Sequence, residues 1–272
     1  MDADLMDAEE HSQGRARVIV TMPAYYAAQT LEKTYRDIPS GLADEVLVVD
    51  DASQDGTAEV ARHLGLKVFV HPANRGYGGN QKTCYDEALR AGASIVVLLH
   101  PDYQYDPRTL TALVEPLAAG RADFTFGSRF AGGADPRKGG MPLYRYYGNK
   151  LTTAIENWAL GTHFAELHSG LKAYTRAFLE RLDYHAYSDD FVFDSQMVID
   201  AVLSGARIEE VPIPTRYTME SSSISIPRSL RYIWLTLREL RRMKRQHAHA
   251  RAQAAVQARQ AAKRANRATK IH

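Results

Sequence analysis

The sequence predicts an α/β domain with a mostly parallel, doubly wound sheet, followed by a long basic helix. Short apolar runs such as Val46–Val49 lack polar alternation, as is typical of strands buried on both faces of a parallel sheet. Strand and helix patterns alternate from Arg17 to Ser128 at the spacing of βαβ units. Two apolar runs end in carboxylates, and the carboxyl ends of strands are where open α/β sheets bind ligands.

The elements can be assigned in order from these patterns. Strands are predicted at residues 17–21, 45–50, 67–71, 94–99 and 124–128, and helices at 30–37, 56–64, 78–91 and 107–119. After Gly133 the pattern changes, and apolar residues from Leu143 to Trp158 recur at helical spacing, which predicts an amphipathic helix. A helix at 193–203 and a strand at 207–212 follow, and a long helix is predicted from Pro227 onward.

Length and composition limit the class of protein. A chain of 272 residues allows one large domain, or one domain with an appendage. The single cysteine, Cys84, excludes an intramolecular disulfide framework and fits a reducing compartment. No apolar stretch reaches the roughly 18 residues of a spanning helix, and the acidic N-terminus does not resemble a signal peptide. We expect a cytoplasmic protein with a disordered segment at 1–14, a domain at 15–226 and a basic helix and tail at 227–272.

The net charge of +2 conceals an asymmetry between body and tail. From Arg228 onward there are 13 Lys and Arg against one Glu, whereas the remainder has 21 against 31 acidic residues. Three interpretations of the tail remain open. It could be an amphipathic helix on anionic lipid, a core helix up to Met243 with a solvated tail, or a nucleic-acid arm. The absence of aromatic residues beyond Trp234 argues against base stacking, and we expect no nucleic-acid partner.

Two motifs carry a resemblance to a known family. The stretch EVLVVDDASQDGT at 45–57 follows a strand and opens a helix, and HPDYQ at 100–104 follows another strand. Together they resemble the family 2 glycosyltransferases of the GT-A fold, more closely the dolichyl-phosphate mannose synthase-like branch, over about residues 18–225. The resemblance implies an inverting transferase that uses a nucleotide-sugar donor and a divalent cation.

The resemblance implies a set of nucleotide-binding residues at the ends of two strands and at the start of a helix: Pro23, Ala24, Tyr25, Asp50, Asp51, Gly78 and Lys82. Within this set, Tyr25 is expected to stack on the base and Asp51 to bind the nucleoside. The alternative for the aspartates is a structural cap for the following helix. The glycine-rich turn at 74–81 could cradle an anion at a helix start, with Lys82 meeting phosphate charge, or could be a plain tight turn.

The resemblance also implies a metal site at 100–104. Related enzymes carry D-x-D-x-Q, whose carboxylates hold Mg²⁺ or Mn²⁺ against the diphosphate, and here His100 replaces the first carboxylate. Asp102 is the expected ligand, and it also counts among the catalytic candidates, with Gln104 adding a carbonyl oxygen. A histidine nitrogen makes the site softer and should favour Mn²⁺. The alternative for His100 is a contact with the base or with a ligating residue.

Further positions correspond to the phosphate and acceptor side of the family's site: Arg129, Arg145, Ser169, Gly170 and Arg228. A guanidinium fork suits phosphate oxygens. Asp190 and Asp194 are the candidates for a general base, which a sugar hydroxyl acceptor would require. A lipid phosphate, with its second pKa near 6, is already a nucleophile and makes a dedicated base dispensable.

These observations lead to one main hypothesis and two alternatives. The main hypothesis is a transferase that passes a sugar from a UDP- or GDP-sugar to a polyprenyl phosphate or membrane-linked glycan. It predicts a peripheral protein on the inner face of the cell membrane, attached through the C-terminal helix and able to form a homo-oligomer. The alternatives are a soluble transferase acting on a sugar or small-molecule hydroxyl, and a non-catalytic nucleotide-binding protein.

Overall fold

In the computed structural model the described residues are 15–133, 135–214, 231–249 and 252–253, so the acidic segment 1–14 and Arg228 lie outside them. Seven strands form one sheet: β1 Val18–Ala24, β2 Glu45–Asp50, β3 Lys67–Val70, β4 Ile95–Leu98, β5 Phe124–Ser128, β6 Lys172–Thr175 and β7 Ile208–Pro212. Their order across the sheet is β3-β2-β1-β4-β6-β5-β7. The predicted mostly parallel α/β sheet is therefore confirmed.

Strand β6 is the one antiparallel element of this sheet. It lies between β4 and β5 and runs against both, so that Lys172 pairs with Leu98 on one side and with Phe126 on the other. The sequence patterns did not predict this strand. Only four residues long, it contains a lysine, and it follows a Ser-Gly pair with no run of β-branched residues.

The helices flank the sheet. They are α1 Leu31–Arg36, α2 Thr57–His63, α3 Gly76–Arg90, α4 Leu110–Ala118, α5 Leu143–Leu160, α6 Arg176–Leu179 and α7 Val192–Leu203, with α8 covering 231–249. A short 3₁₀ turn at Pro107–Thr109 leads into α4. The predicted helices agree with these to within a few residues, and only α6 was not anticipated.

Both faces of the sheet are covered, which explains the continuous apolar runs of the sequence. All seven residues of β1 are buried. Val20 and Val48 belong to the cluster on one face, whereas Ile19 and Leu47 belong to the cluster on the other. Since successive side chains of a strand point to opposite faces, each run supplies both layers of the core.

Helix α8 packs against α7 and the end of α5. Leu240 and Met243 are buried against Ile199, and Nζ of Lys244 donates to the carbonyl of Ala159 at 2.5 Å. The interpretation as a core helix up to Met243 therefore describes the inner side of α8. Trp234 stays on its outer side, 60% exposed. Among the described residues there is no helix with the length and apolar character that crossing a bilayer requires.

Candidate functional site

The carboxyl edge of three neighbouring strands is shaped by strained backbone. Tyr26, Ala52 and Tyr103 follow β1, β2 and β4, and each has a positive φ, at 53°, 62° and 57°. Non-glycine residues rarely adopt this conformation, and where they do they concentrate at functional sites. Hydrogen bonds join the first two loops, because the backbone N–H of Tyr26 donates to Oγ of Ser53 at 2.9 Å. The edge is thus a preformed surface.

The two aspartates at the end of β2 have different surroundings. Oδ1 of Asp51 lies 2.7 Å from Nδ1 of His71 and accepts from the backbone of Arg75 at 2.8 Å, while Oδ2 accepts from Gly76 at 3.1 Å. Asp51 therefore anchors the start of α3 to the sheet. Oδ1 of Asp50, in contrast, is buried and has no hydrogen-bond partner in the described structure. Of the pair, Asp50 has the oxygen still in need of a donor.

Lys82, which the sequence placed beside phosphate charge, contacts protein acceptors in the structure. Its Nζ donates to the carbonyls of His185 at 3.2 Å and Tyr187 at 2.6 Å, and to Oδ1 of Asp189 at 2.7 Å. An ammonium group has three donors, and all three are engaged. Lys82 thus holds the segment 185–189 against α3.

Gly78 is a packing position and not an open anion cradle. Its backbone N–H donates to the carbonyl of Asp189 at 2.7 Å, and a Cβ at this position would lie 2.4 Å from the carbonyl oxygen of Ser188. A real Cβ cannot approach a backbone oxygen so closely. The glycine is required because the loop before α7 crosses the first turn of α3, a constraint that the sequence pattern could not separate from nucleotide binding.

The first strand end presents its aromatic residues to solvent. Pro23 and Ala24 pair with Val49 and Asp50 inside the sheet, so their side chains belong to the core edge. Tyr25 and Tyr26 are both exposed, and their rings meet edge to face at 4.6 Å. These two rings are the exposed surface that this strand end offers for stacking on a base.

The loop after β4 is held in place by hydrogen bonds to α1 and its C-terminal end. Oγ1 of Thr34 donates to the carbonyl of Pro101 at 3.2 Å, and Tyr103 donates to Asp37. Within the loop, Oδ1 of Asp102 accepts from the backbone of Gln104 at 3.1 Å. Asp102 is consequently held at the edge by contacts that do not depend on a ligand.

His100 ends a chain of polar side chains that the sequence did not reveal. Oδ1 of Asp194 pairs with Nζ of Lys172 at 2.7 Å, and Oδ2 accepts from the hydroxyl of Tyr77 at 2.7 Å. The same hydroxyl lies 3.1 Å from Nε2 of His100, whose ring stacks on that of Tyr77. Since the only proton of the hydroxyl goes to Asp194, Nε2 must be the donor, and Nδ1 is left as an acceptor.

Burial sets the protonation of this chain. It lowers the pKa of His100, although Asp102 and Asp194 act in the opposite direction, so the imidazole is neutral at pH 7. Burial and then the charge of Asp194 raise the pKa of Tyr77, so the phenol keeps its proton. Burial also lowers the pKa of Lys172, against the pull of Asp194. A neutral imidazole with an unprotonated Nδ1 is the form that binds a metal.

The side chains at this edge fit a divalent ion whose coordination is completed largely by a bound substrate and by water. In the described part of the chain, no three His, Cys, Asp or Glu side chains group closely enough to hold a metal by themselves. His100 and Asp102 offer one nitrogen and one carboxylate, and Gln104 could add its carbonyl oxygen, while its buried amide nitrogen, without a partner among the described residues, is a donor suited to a phosphate oxygen. Such a partial set is typical of ions completed by phosphate oxygens and water.

Arg129 pairs with a buried glutamate, where the sequence had placed it on a phosphate. Its backbone N–H donates to Oε2 of Glu166 at 2.8 Å, and Nε donates to Oε1 at 3.0 Å, with a further contact from Nη2. Nδ2 of Asn149 completes the site at 2.8 Å from Oε1. Burial raises the pKa of Glu166, but the charge and hydrogen bonds of Arg129 outweigh it and lower the pKa overall. The pair joins the end of β5 to α5.

Of the remaining predicted residues, Ser169 and Gly170 precede β6 near His100, whereas Asp190 and Arg145 lie elsewhere. Ser169 is buried and its Oγ accepts from Leu171 at 3.3 Å, while a Cβ on Gly170 would lie 3.1 Å from the ring of His100. Gly170 therefore packs directly against the imidazole ring. Asp190 is exposed, and its Oδ1 accepts from Phe191 at 2.7 Å. Nε of Arg145 donates to the hydroxyl of Tyr144 at 3.2 Å near the start of α5.

Asp194 is engaged by Lys172 and Tyr77, and this leaves Asp190 as the more open of the two proposed bases. Neither Tyr77 nor Lys172, the buried partner of Asp194, was predicted as a site residue from the sequence. The available signals were an aromatic residue inside a glycine-rich turn and a lysine two residues after His-Ser-Gly. Neither indicates on its own that the two side chains meet at the carboxylate of Asp194.

Comparison with known proteins matches the chain to one enzyme family. The sequence profile described as glycosyl transferase family 2 matches residues 19–183. The polyprenol monophosphomannose synthase of Mycolicibacterium smegmatis is 29% identical over 205 residues, which are 72% of this chain and 76% of that protein. A UDP-N-acetylglucosamine–dolichyl-phosphate N-acetylglucosaminyltransferase of Methanococcus voltae is 25% identical over 218 residues, 74% of this chain and 86% of that protein.

A solved structure shows the same fold. The glucosyl-3-phosphoglycerate synthase of Mycobacterium tuberculosis, crystallised with Mn²⁺, uridine diphosphate and phosphoglyceric acid, superposes with a TM-score of 0.65. The match covers 87% of this chain and 82% of that one at 21% identity. At that identity the likeness concerns the fold, and the neighbour's ligands remain a property of the neighbour.

Proposed function

The chain belongs to the family 2 glycosyltransferases and has their GT-A fold, and from this premise we propose that it transfers a hexose from a nucleoside-diphosphate sugar to a polyprenyl phosphate. The observation that carries the proposal is the lipid acceptor of two relatives, each of which matches about three quarters of the chain. One is named for polyprenol and the other for dolichyl phosphate. The carboxyl edge described above supplies the residues for such a reaction.

The donor side is formed by the first two strand ends. The exposed ring of Tyr25 offers a stacking surface for a base, since an aromatic face contacts any base without requiring a particular edge. The unsatisfied Oδ1 of Asp50 is suited to accept from the N–H edge of uracil or guanine, or from a ribose hydroxyl. Asp51 supports this surface indirectly by holding the start of α3 in place.

Asp102, His100 and Gln104 are proposed to hold Mn²⁺ or Mg²⁺ against the diphosphate. The ion would neutralise charge on the leaving diphosphate and orient it. The chain through Tyr77 and Asp194 would fix the imidazole of His100 with Nδ1 unprotonated, as partners of ligating histidines usually do. One nitrogen in the donor set favours Mn²⁺ over Mg²⁺.

The transfer itself is proposed as a single displacement at the anomeric carbon. An oxygen of the acceptor phosphate attacks that carbon as the bond to the diphosphate breaks, and the configuration inverts. Because the phosphate is already ionised at neutral pH, the protein need not remove a proton from it. Asp190 would then bind a sugar hydroxyl, and it would act as a base only with a hydroxyl acceptor.

The test is a transfer assay with defined donors and acceptors. UDP- and GDP-hexoses are supplied with Mn²⁺, Mg²⁺ or chelator, and with a short-chain, water-soluble isoprenyl phosphate or the matching isoprenyl alcohol. We expect metal-dependent glycosylation of the phosphate and none of the alcohol. Asp102→Asn should abolish turnover, whereas Asp183→Asn is the matched control, at an exposed carboxylate outside the site. Transfer to neither acceptor, or equal transfer to both, would contradict the proposal.

A further inference from the structure

We propose that the outer face of α5 docks onto a bilayer containing anionic phospholipid. The face is defined here by Leu143, Tyr147, Leu151, Ala154 and Trp158. The inference rests on the proposed function, because a long polyprenyl phosphate is carried in a bilayer and must meet the enzyme there. It assigns the apolar contact to a different element from the C-terminal helix, which the sequence suggested as the membrane contact.

The five residues form one apolar stripe that no other part of the described structure covers. They recur at intervals of four, four, three and four along α5, so they share one side of the helix. Leu143, Tyr147, Leu151 and Trp158 are exposed by 61, 61, 62 and 87%, and Ala154 is exposed as well. Single exposed apolar residues are common, but an aligned row of this length marks an interaction surface.

The opposite side of α5 explains why this stripe is not simply a misplaced core. Thr152, Thr153 and Glu156 are the buried residues of the helix, and Glu156 pairs with His168 at 2.9 Å. The helix therefore turns its polar side inward and its apolar side outward, the reverse of an ordinary surface helix. A helix so arranged is stabilised when its outer side meets an apolar medium.

The charges on the two neighbouring helices select an anionic partner. In α5 and in the described part of α8, the acidic residues are Glu156 and Glu239, and both are buried. The exposed charged residues on these two helices are all basic: Lys150, Arg231, Arg238, Arg241, Arg242, Lys244 and Arg245. Basic residues near a membrane are attracted to anionic headgroups, and Trp and Tyr favour the headgroup region. Both tryptophans of the chain, Trp158 and Trp234, are exposed on these helices.

The stripe is joined to the acceptor side of the site. Asn149, two residues after Tyr147 on α5, donates to Glu166, which binds Arg129 at the end of β5. The ring of Tyr146 packs against Phe130 at 5.4 Å, just beyond the same strand end. A bilayer touching the stripe would therefore lie next to the end of β5, where the family resemblance places the acceptor side of the site.

A second copy of the chain is a poorer occupant of this face. A two-fold dimer brings identical surfaces together, so the basic residues of α5 and α8 in one copy would approach those in the other. Like charges at an interface oppose association. The same charges favour an anionic lipid surface, which explains why the bilayer is the occupant proposed.

The experiment measures flotation of the full chain with vesicles of phosphatidylcholine, alone or with 30% phosphatidylglycerol, a mixture chosen to be about one-third anionic. The test variant is Leu151→Glu/Trp158→Glu, and the matched control is Val70→Glu/Ala112→Glu, which adds the same two charges at exposed apolar residues of edge strand β3 and helix α4. We expect wild type and control to float with the anionic vesicles. The double variant should show a partition coefficient at least about tenfold lower, since it loses two inserting side chains.

Two further readouts separate folding, function and docking. Transfer to the short-chain isoprenyl phosphate without vesicles should be equal in wild type and double variant, because neither substitution touches the site. If flotation behaves as expected but no variant transfers to any isoprenyl phosphate, the proposed function fails and the docking surface stands. Equal flotation of wild type and double variant would overturn the inference, as would absence of flotation by wild type. A wild-type dimer that the double variant converts to monomer, without vesicle binding, would overturn it in favour of a second copy.

Discussion

Replacing Arg129 with methionine distinguishes the two roles considered for this residue. If Arg129 binds a phosphate of the substrate, as the sequence suggested, the variant should fold normally and lose substrate affinity. If it compensates the buried charge of Glu166, as the geometry indicates, the variant should be destabilised whether or not substrate is present. Methionine keeps the length of the side chain, so the loss is mainly one of charge and hydrogen bonds.

The expected magnitude follows from what remains around Glu166. Its carboxylate is fully buried and accepts from the side chain and the backbone of Arg129 and from Asn149. Removing one partner of a buried ion pair costs about 3–5 kcal/mol. The backbone N–H and Asn149 survive in the variant, so we expect the lower end, about 3 kcal/mol. At about 2–4 °C per kcal/mol, the melting temperature should fall by roughly 6–12 °C.

Thermal and urea unfolding of wild type, Arg129→Met, Glu166→Gln and the double variant provide the measurement. Glu166→Gln removes the charge that Arg129 compensates, so the double variant should be more stable than the sum of the single losses predicts. Nucleotide affinity by calorimetry is recorded on the same samples. An unchanged melting temperature together with a lost affinity for substrate would refute the reasoning and restore the phosphate-binding role.

Three further predictions concern other contacts. Since the pKa of Glu166 is lowered on folding, its contribution to stability is complete above the unfolded value of about 4.5 and is lost as the pH falls through the lower folded value. Calorimetric melting from pH 7 to 3 should therefore show a weaker acid dependence for Glu166→Gln. Tyr77→Phe should weaken Mn²⁺ binding to the nucleotide complex by about 10–100-fold, measured by titration calorimetry, and unchanged affinity would remove the role assigned to this hydroxyl. Gly78→Ala should cost about 1–3 kcal/mol in urea unfolding, because the new methyl group meets the carbonyl of Ser188; a neutral effect would show that this loop moves freely.

The sheet could be predicted from the sequence where strands are long and buried on both faces. The runs ending at Asp50 and Ser128 have their predicted bounds, because β-branched and aromatic residues bounded by turn residues leave few alternatives. Strand β6 could not be predicted, since its four residues include Lys172, which is buried only because it pairs with Asp194 from a helix 20 residues further on. When the partner of a buried charge is distant in sequence, the residues next to that charge do not indicate that it is buried.

The sequence was enough to predict which loops form the candidate site, but not which atoms their side chains contact. The ends of β2 and β4 could be identified because carboxylates follow apolar runs there. The partners of Lys82 and Arg129 could not, because a cation at a strand or helix end has the same sequence signal whether it meets a ligand phosphate or a protein carboxylate. In the structure both side chains contact protein acceptors, and this favours a structural role for each.

The position of β6 also determines when the protein can fold during synthesis. Strands β3, β2, β1 and β4 are complete by Leu98, but the neighbour of β4 ends only at Thr175, 77 residues later in the chain. Until then a nascent chain displays the backbone donors and acceptors of β4 as an open edge, which invites pairing with other chains. The same strand brings Lys172, but its partner Asp194 follows on α7, so the polar chain behind His100 is assembled only after the edge of β4 has been covered. Ribosome-arrested chains ending before and after Thr175 should therefore differ sharply in aggregation and in nucleotide binding.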